Sequence, residues 1–357
     1  MNKKALSVAL CAAMVGTMAG AVSVQAADYS GMTIEIVSKG FQHQYWQAVL
    51  KGAEQKAEEL GADMHFVGPA DESQYAEQKT QLDTAIEAAP SAIGLAALDT
   101  STCLESIQKA MDAGIPIIGF DSGVPDAPEG AIFANASTDN YAAGALAAEK
   151  TYEVLKDRIA NAEGNVRIGV LGQDAVSESV VNRGLGFIDK IAELAIADGN
   201  TVKLEGNDKY VNDSNVESAD DGNVIIETLV PSSVTSELSA IDCQTLLNKD
   251  DIICVYGSNQ HSAEAMVTGN ENLQKFGQEE GQVIAVGFDS GAVIKAAVAD
   301  GTFLGAITQA PVAMGEAVVE LACKAAAGEE VEDVDTGCQW FTAENMEDPE
   351  IAQNLYD

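Results

Sequence analysis

The sequence runs to 357 residues, long enough for two domains, and its 46% hydrophobic and 21% charged residues exclude a mostly disordered chain. Nineteen Lys and Arg stand against 56 Asp and Glu, a formal net charge of -37 that phosphate backbones would repel, so nucleic-acid binding is excluded too. The charge does not reveal a ligand, because the potential inside a cleft can differ in sign from the whole.

The first element is an export signal. Lys3 and Lys4 precede an apolar run from Ala5 to about Val22, and Val24-Gln25-Ala26 offers the small residues at which a signal peptidase cuts. Residues 1–26 are therefore read as a secretory signal cleaved near Ala26, which predicts a periplasmic or otherwise extracytoplasmic protein. Gly16 and Gly20 break the run, whereas a membrane-spanning helix needs ~20 mostly apolar residues. No later segment has that length, so the protein is not expected to be membrane-embedded. Five cysteines follow the signal, at 103, 243, 254, 323 and 338, an odd number that leaves at least one thiol unpaired. Buried small hydrophobes are the plain reading, with a Cys323–Cys338 bridge left open.

From Met32 onward short β-rich runs alternate with longer helical patterns, the rhythm of βαβ units and parallel sheets. Strands are predicted over Thr33–Val37, Asp63–Val67, Ala92–Ala97, Pro116–Phe120, Val166–Leu171, Val224–Val230, Ile252–Gly257, Val283–Phe288 and Leu304–Thr308. After the first strand, Trp46, Val49, Leu50, Ala53, Ala57 and Leu60 recur at helical spacing on one face, up to the stop at Gly61. Further helices are predicted at about 75–88, 103–113, 141–160, 180–197, 234–248, 291–299 and 311–327. Nine strands are more than one compact sheet needs, so two α/β lobes are expected, divided near 130–140.

Residues 205–223 break the rhythm. They are polar and acidic and read as a solvated insertion loop. Its Asp213, Asn215, Glu217, Asp220 and Asp221 would suit Ca²⁺ chemically, but Ser218 stands where an EF-hand needs glycine. No cofactor or metal is therefore expected, with calcium in this loop as the minor alternative. The sequence also lacks G-x-x-x-x-G-K-[ST], H-E-x-x-H and C-x-x-C, and holds only three histidines, at 43, 65 and 261. Gly184-Leu185-Gly186 lacks the third glycine of a dinucleotide fingerprint. No enzyme is expected; a carboxylate-pair glycosidase is the less favoured alternative.

In open α/β sheets ligands settle beyond the carboxyl ends of the strands. The first strand is followed by Lys39, His43, Tyr45 and Trp46, and the fourth by Asp121 and Ser122. Later strands deliver Asn259, Asp289 and Gln309, and Arg183 opens another element. Planar bidentate groups match vicinal hydroxyls, and aromatic faces cover the C–H patches of a sugar ring. Each also has a plainer role, the aspartates as helix N-caps and Trp46 as core.

Together these pieces resemble the ribose/galactose-type periplasmic sugar-binding proteins, the solute-binding components of ABC transporters, whose two-lobed fold is shared with the lactose-repressor family's effector domain. The similarity runs from roughly 31 to 345. It rests on Gly52-Ala53-Glu54, on the run from Ala113 through Ile117 to Asp121, on Arg183-Gly184-Leu185-Gly186-Phe187, on Val286-Gly287-Phe288-Asp289, and on Thr308-Gln309-Ala310-Pro311, in this order. The resemblance implies two doubly wound parallel-sheet lobes joined by a three-strand hinge, a type I periplasmic binding protein. The crossings fall near Ala134–Thr138, Thr308–Ala310 and Val334–Gly337. The lobes would then comprise residues 27–135 plus 310–335, and 136–309 plus 336–357.

Carried over by position, stacking aromatics fall on Tyr45 and Trp46, a hydroxyl-binding carboxylate on Asp121, and polar contacts on Arg183, Asn259, Asp289 and Gln309. Ser122, which replaces the arginine of ribose binders, and Thr138, at the end of the first crossing strand, complete the set with Lys39 and His43. Lys39 replaces a small residue, and Gln42 and His43 replace asparagines, so the ligand differs from ribose and a sugar acid or another polar small molecule is conceivable. The resemblance implies a monomer that captures a monosaccharide-like ligand and hands it to a membrane permease. The alternative is a sensor presenting the sugar to a membrane receptor. No helix-turn-helix precedes Met32, which excludes the repressor branch.

Overall fold

A computed structural model of the chain is described from Tyr29 to Tyr356, so the signal reading of residues 1–26 lies outside the described residues. The first sheet holds β1 (Thr33–Val37), β2 (Asp63–Val67), β3 (Ala92–Leu95), β4 (Ile117–Phe120) and β5 (Ile132–Ser137), all parallel. The second holds β6 (Val166–Leu171), β7 (Val202–Gly206), β8 (Val224–Leu229), β9 (Ile252–Gly257), β10 (Ile284–Phe288) and β11 (Gly305–Gln309), again parallel. Two short strands close the set: β12 (Val334–Asp335) joins β5 in the first sheet, and β13 (Cys338–Phe341) runs antiparallel to β11 in the second. Central strands such as β3, β4, β6 and β10 are buried along their whole length, which is what helices on both faces of a parallel sheet require.

The helices are α1 (Gln44–Leu60), α2 (Tyr75–Glu87), α3 (Leu104–Asp112), α4 (Asn140–Ala160), α5 (Glu178–Ala197), α6 (Asp208–Asp213), α7 (Ser236–Leu247), α8 (Gln260–Asn270), α9 (Ala292–Ala299), α10 (Pro311–Ala326) and α11 (Pro349–Ala352). Each lobe seats one helix pair through glycine. A Cβ on Gly52 of α1 would stand 1.9 Å from the Val312 carbonyl of α10, and one on Gly186 of α5 would stand 2.0 Å from the Tyr141 carbonyl of α4. The incomplete dinucleotide fingerprint at Gly184-Leu185-Gly186 is thus a packing device: Gly186 admits α4, and Gly184 admits the ring of Tyr210.

The fold consists of two doubly wound lobes joined by three connections. The chain leaves the first sheet after β5 through Thr138 and Asp139, returns after β11 through Ala310, and leaves again after β12 through Thr336 and Gly337.

Of residues 205–223 only 214–223 form the mostly exposed connection that polarity predicts; the residues before them do not. They close β7 and form α6, whose Tyr210 is buried in the second lobe's core. Ser214 Oγ and Asn215 N also donate to the Asp189 carboxylate, the latter at 3.1 Å. Among the described residues no three His, Cys, Asp or Glu side chains gather as a metal would need. The five described cysteines are free: Cys323 is buried on α10 in the first lobe's core and Cys338 sits on β13 in the second sheet, which removes the bridge left open above.

Candidate functional site

Both sheets point their carboxyl ends at one cleft between the lobes. It encloses 540 Å³. Lys39, His43, Tyr45, Trp46, Asp121, Arg183, Asn259, Asp289 and Gln309 line it, so nine of the predicted positions converge. Ser122 and Thr138 stand outside the wall because protein groups occupy their hydroxyls. Thr138 Oγ1 donates to Gln309 Oε1 at 3.1 Å, and Ser122 Oγ accepts from Ser179 N at 3.3 Å.

The two carboxylates share an unusual backbone. Asp121 and Asp289 end β4 and β10 with φ of 58° and 73°, a left-handed turn that aspartate tolerates better than most side chains. Neither caps a following helix, contrary to the plainer reading. Asp121 Oδ1 accepts from the Tyr45 hydroxyl at 2.7 Å, and its Oδ2 pairs with Lys39 Nζ at 3.0 Å. Asp289 accepts from Gln309 Nε2 at 2.7 Å and from Gln260 N, at the start of α8, at 3.0 Å. Burial pushes the Asp289 carboxyl up, with Arg183 and Gln309 pulling the other way.

Arg183 sits between them. Its guanidinium stacks on Phe288 at 4.2 Å and is held by Nε donating to Asn140 Oδ1 at 2.8 Å. One terminal nitrogen lies 4.0 Å from Asp121 and the other 3.7 Å from Asp289. Nη2 makes no hydrogen bond although buried, and neither do His43 Nδ1 and Asp121 Oδ2, so three polar atoms of cleft-lining residues are without a hydrogen-bond partner. Such groups are costly to leave dry and are matched by ligand hydroxyls.

Trp46 and Tyr45 form the apolar wall, edge to face at 4.9 Å. Trp46 serves both readings given to it: it lines the cleft and is buried in the first lobe's core, with Nε1 donating to Glu72 Oε1 at 2.8 Å. Behind Tyr45, Tyr356 is inserted between the lobes. Its ring lies 6.0 Å from that of Tyr45, and its hydroxyl donates to Gln260 Oε1 at 3.1 Å.

Lys39 is a latch as much as a wall. Its ammonium meets Asp121 and, across the lobe boundary, the Ser177 and Ser179 hydroxyls, each at 3.2 Å. Three protein groups surround it, one as an ion pair and two as hydrogen-bond acceptors. Burial alone would pull its pKa down, but Asp121 and Glu72 outweigh it and hold the amine charged. The lobes also touch where Gln173 Nε2 donates to Glu72 Oε2 at 3.0 Å and Gly123 N to Glu178 Oε2 at 3.2 Å. Against the penalty of burial, Lys39, His43, Gln173 and Trp46 hold Glu72 down to about 2. Burial pulls His261 down, favouring its neutral form.

Sequence reasoning missed Glu72, Gln173, Thr235, Gln260 and His261. Three of these follow β2, β6 and β8, so the strand-end rule that found Asp121 would have found them had it been applied to every strand.

The chain matches the family model of the periplasmic binding protein domain over residues 34–330. It is similar to a Brachyspira murdochii structure described as an ABC transporter, LacI family transcriptional regulator, with 34% identity, 91% of this chain and 99% of that one covered, and a TM-score of 0.76. An ABC transporter solute binding protein from Agrobacterium vitis with bound D-fucose is 26% identical, with 91% and 100% covered and a TM-score of 0.74. The D-apiose import binding protein of Actinobacillus succinogenes is 24% identical over 240 residues, 66% of this chain and 73% of that protein.

This chain belongs to the periplasmic binding protein family. It is of the sugar-binding, ABC transporter solute-binding class, which is extracytoplasmic and consists of binding proteins rather than enzymes.

Proposed function

We propose that the protein captures a neutral sugar in the cleft between its lobes and delivers it to an ABC-type permease, after export and cleavage near Ala26. One observation carries the reading: Asp121 from one lobe and Arg183 and Asp289 from the other meet within 4.0 Å beside the Trp46 and Tyr45 rings. Carboxylate, guanidinium and aromatic face are the groups a pyranose or furanose needs. Neutrality follows from the charges already paired inside the protein: Lys39 against Asp121, and Arg183 between Asp121 and Asp289, so a sugar acid meets no cation without a carboxylate beside it. No step calls for a cofactor or a second copy of the chain.

The test is a thermal-shift screen of the chain from residue 27 onward against pentoses, hexoses, sugar alcohols and sugar acids. A true ligand at 100 times its Kd stabilises the fold by about 2.7 kcal/mol. Stabilisation by sugar acids alone would overturn neutrality, and no response to any carbohydrate would overturn the whole reading.

A further inference from the structure

The cleft is larger than the ring its charged floor can hold. At 540 Å³ it is more than twice the roughly 200 Å³ of a six-carbon sugar, reckoned as six groups of about the ~30 Å³ share of a water molecule. The cross-lobe bonds of Lys39, Gln173 and Gly123 are already made, so this space belongs to lobes in contact.

The lining divides by chemistry. The floor is made of Asp121, Arg183, Asp289 and Gln309, each no more than 4% exposed. Toward the mouth the walls become Asp71, Ser73, Val234, Thr235 and Ser236, half-buried or exposed, with the Asp71 carboxylate as the charge among them. Ser73, Gln173 and Val234 are also walls of an adjoining hollow of 240 Å³, lined further by Tyr75, Val176, Ser232 and Ser233. Hydroxyls that rotate to donate or accept, beside a tyrosine ring and small apolar faces, are the partners of a second sugar ring. Neither Lys nor Arg lines that hollow, while Asp174 does, which disfavours a phosphorylated or acidic second unit.

We infer that the cleft accepts a disaccharide-sized glycoside, with one ring on the charged floor and a second, neutral ring between the 73–75 and 231–236 segments of opposite lobes. This rests on the sugar-binding reading above and adds the ligand's size and its second contact surface.

The experiment is calorimetry on the exported chain with paired probes: D-galactose against melibiose and lactose, D-glucose against cellobiose, and D-xylose against xylobiose. At least one disaccharide should bind ten times or more tighter than its monosaccharide. Ser233→Trp, which fills the outer hollow from an exposed position, should weaken that disaccharide at least tenfold and leave the monosaccharide within twofold; Val176→Trp is the second variant should the first fold poorly. If each monosaccharide binds as tightly as its disaccharides, or if the tryptophans weaken neither or both equally, the second ring is refuted and the sugar reading stands. If no probe binds, both fall together.

Discussion

Gly119-Phe120-Asp121-Ser122-Gly123 and Gly287-Phe288-Asp289-Ser290-Gly291 are the same five residues in the same order, one copy in each lobe. Both aspartates adopt positive φ, and both backbone N–H groups donate to the neighbouring strand, at Ala136 and Ile307. Their surroundings differ. The hydrogen bonds to Asp289 come from Gln309 and Gln260 of its own lobe, and Ser290 Oγ bonds Thr308 at 2.9 Å and the Asn354 carbonyl at 3.3 Å. Asp121 is also held from its own lobe, by Tyr45 and Lys39, but the other donors of Lys39 reach the opposite lobe and Ser122 bonds across the boundary. One half of the floor is therefore anchored within its lobe, and the other is tied as well to the opposite lobe through Lys39 and Ser122.

The largest way to break that contrast is Asp289→Ala. It strips Arg183, Gln309 and the start of α8 of a shared carboxylate, and sugar affinity should fall at least a hundredfold, about 3 kcal/mol. Calorimetry within threefold of wild type would remove the anchored half from the site.

Next is acid. Glu72 titrates at about 2 in the folded chain, below its ordinary value, so its contribution is complete above about pH 4.5 and is lost as pH falls toward 2. A gap of about two units is worth about 3 kcal/mol. Urea unfolding from pH 5 to 2 should show wild type converging on Glu72→Gln; parallel curves would show that the carboxylate is not held as its neighbours imply.

Lys39→Met should cost roughly tenfold to a hundredfold in affinity, about 1.4 to 2.8 kcal/mol, by removing the latch. Small-angle scattering of the saturated variant should give a larger radius of gyration than saturated wild type, and an unchanged radius would make Lys39 a local ion pair only. The smallest effects sharpen the contrast most. Ser122→Ala and Ser290→Ala should each cost about 1 kcal/mol. The Ser290 loss should appear in the ligand-free melting curve and the Ser122 loss only with sugar present.

The nine strands read from β-rich runs are all present, with ends shifted by two residues at most, because buried parallel strands are written as continuous apolar text. What stayed illegible lacked that signature. β7 is an edge strand with alternating burial, and β13 a short antiparallel one. α8 is built from small and polar residues, and its plainest signal is the cap at Asn259, whose side chain accepts from Ser262 N at 3.0 Å. In the site, residues after strands were legible and their division of labour was not. That Lys39 faces Ser177 and Ser179, more than a hundred positions away, depends on how two lobes meet, which no local pattern records.

The left-handed turn at both aspartates limits how this protein can be retargeted. Asparagine and glycine are the natural replacements there, since other side chains must bear the strain of that backbone. A library aimed at new specificities does better to hold 121 and 289 constant and to vary 42 and 236, which line the cleft where its rim is exposed to solvent.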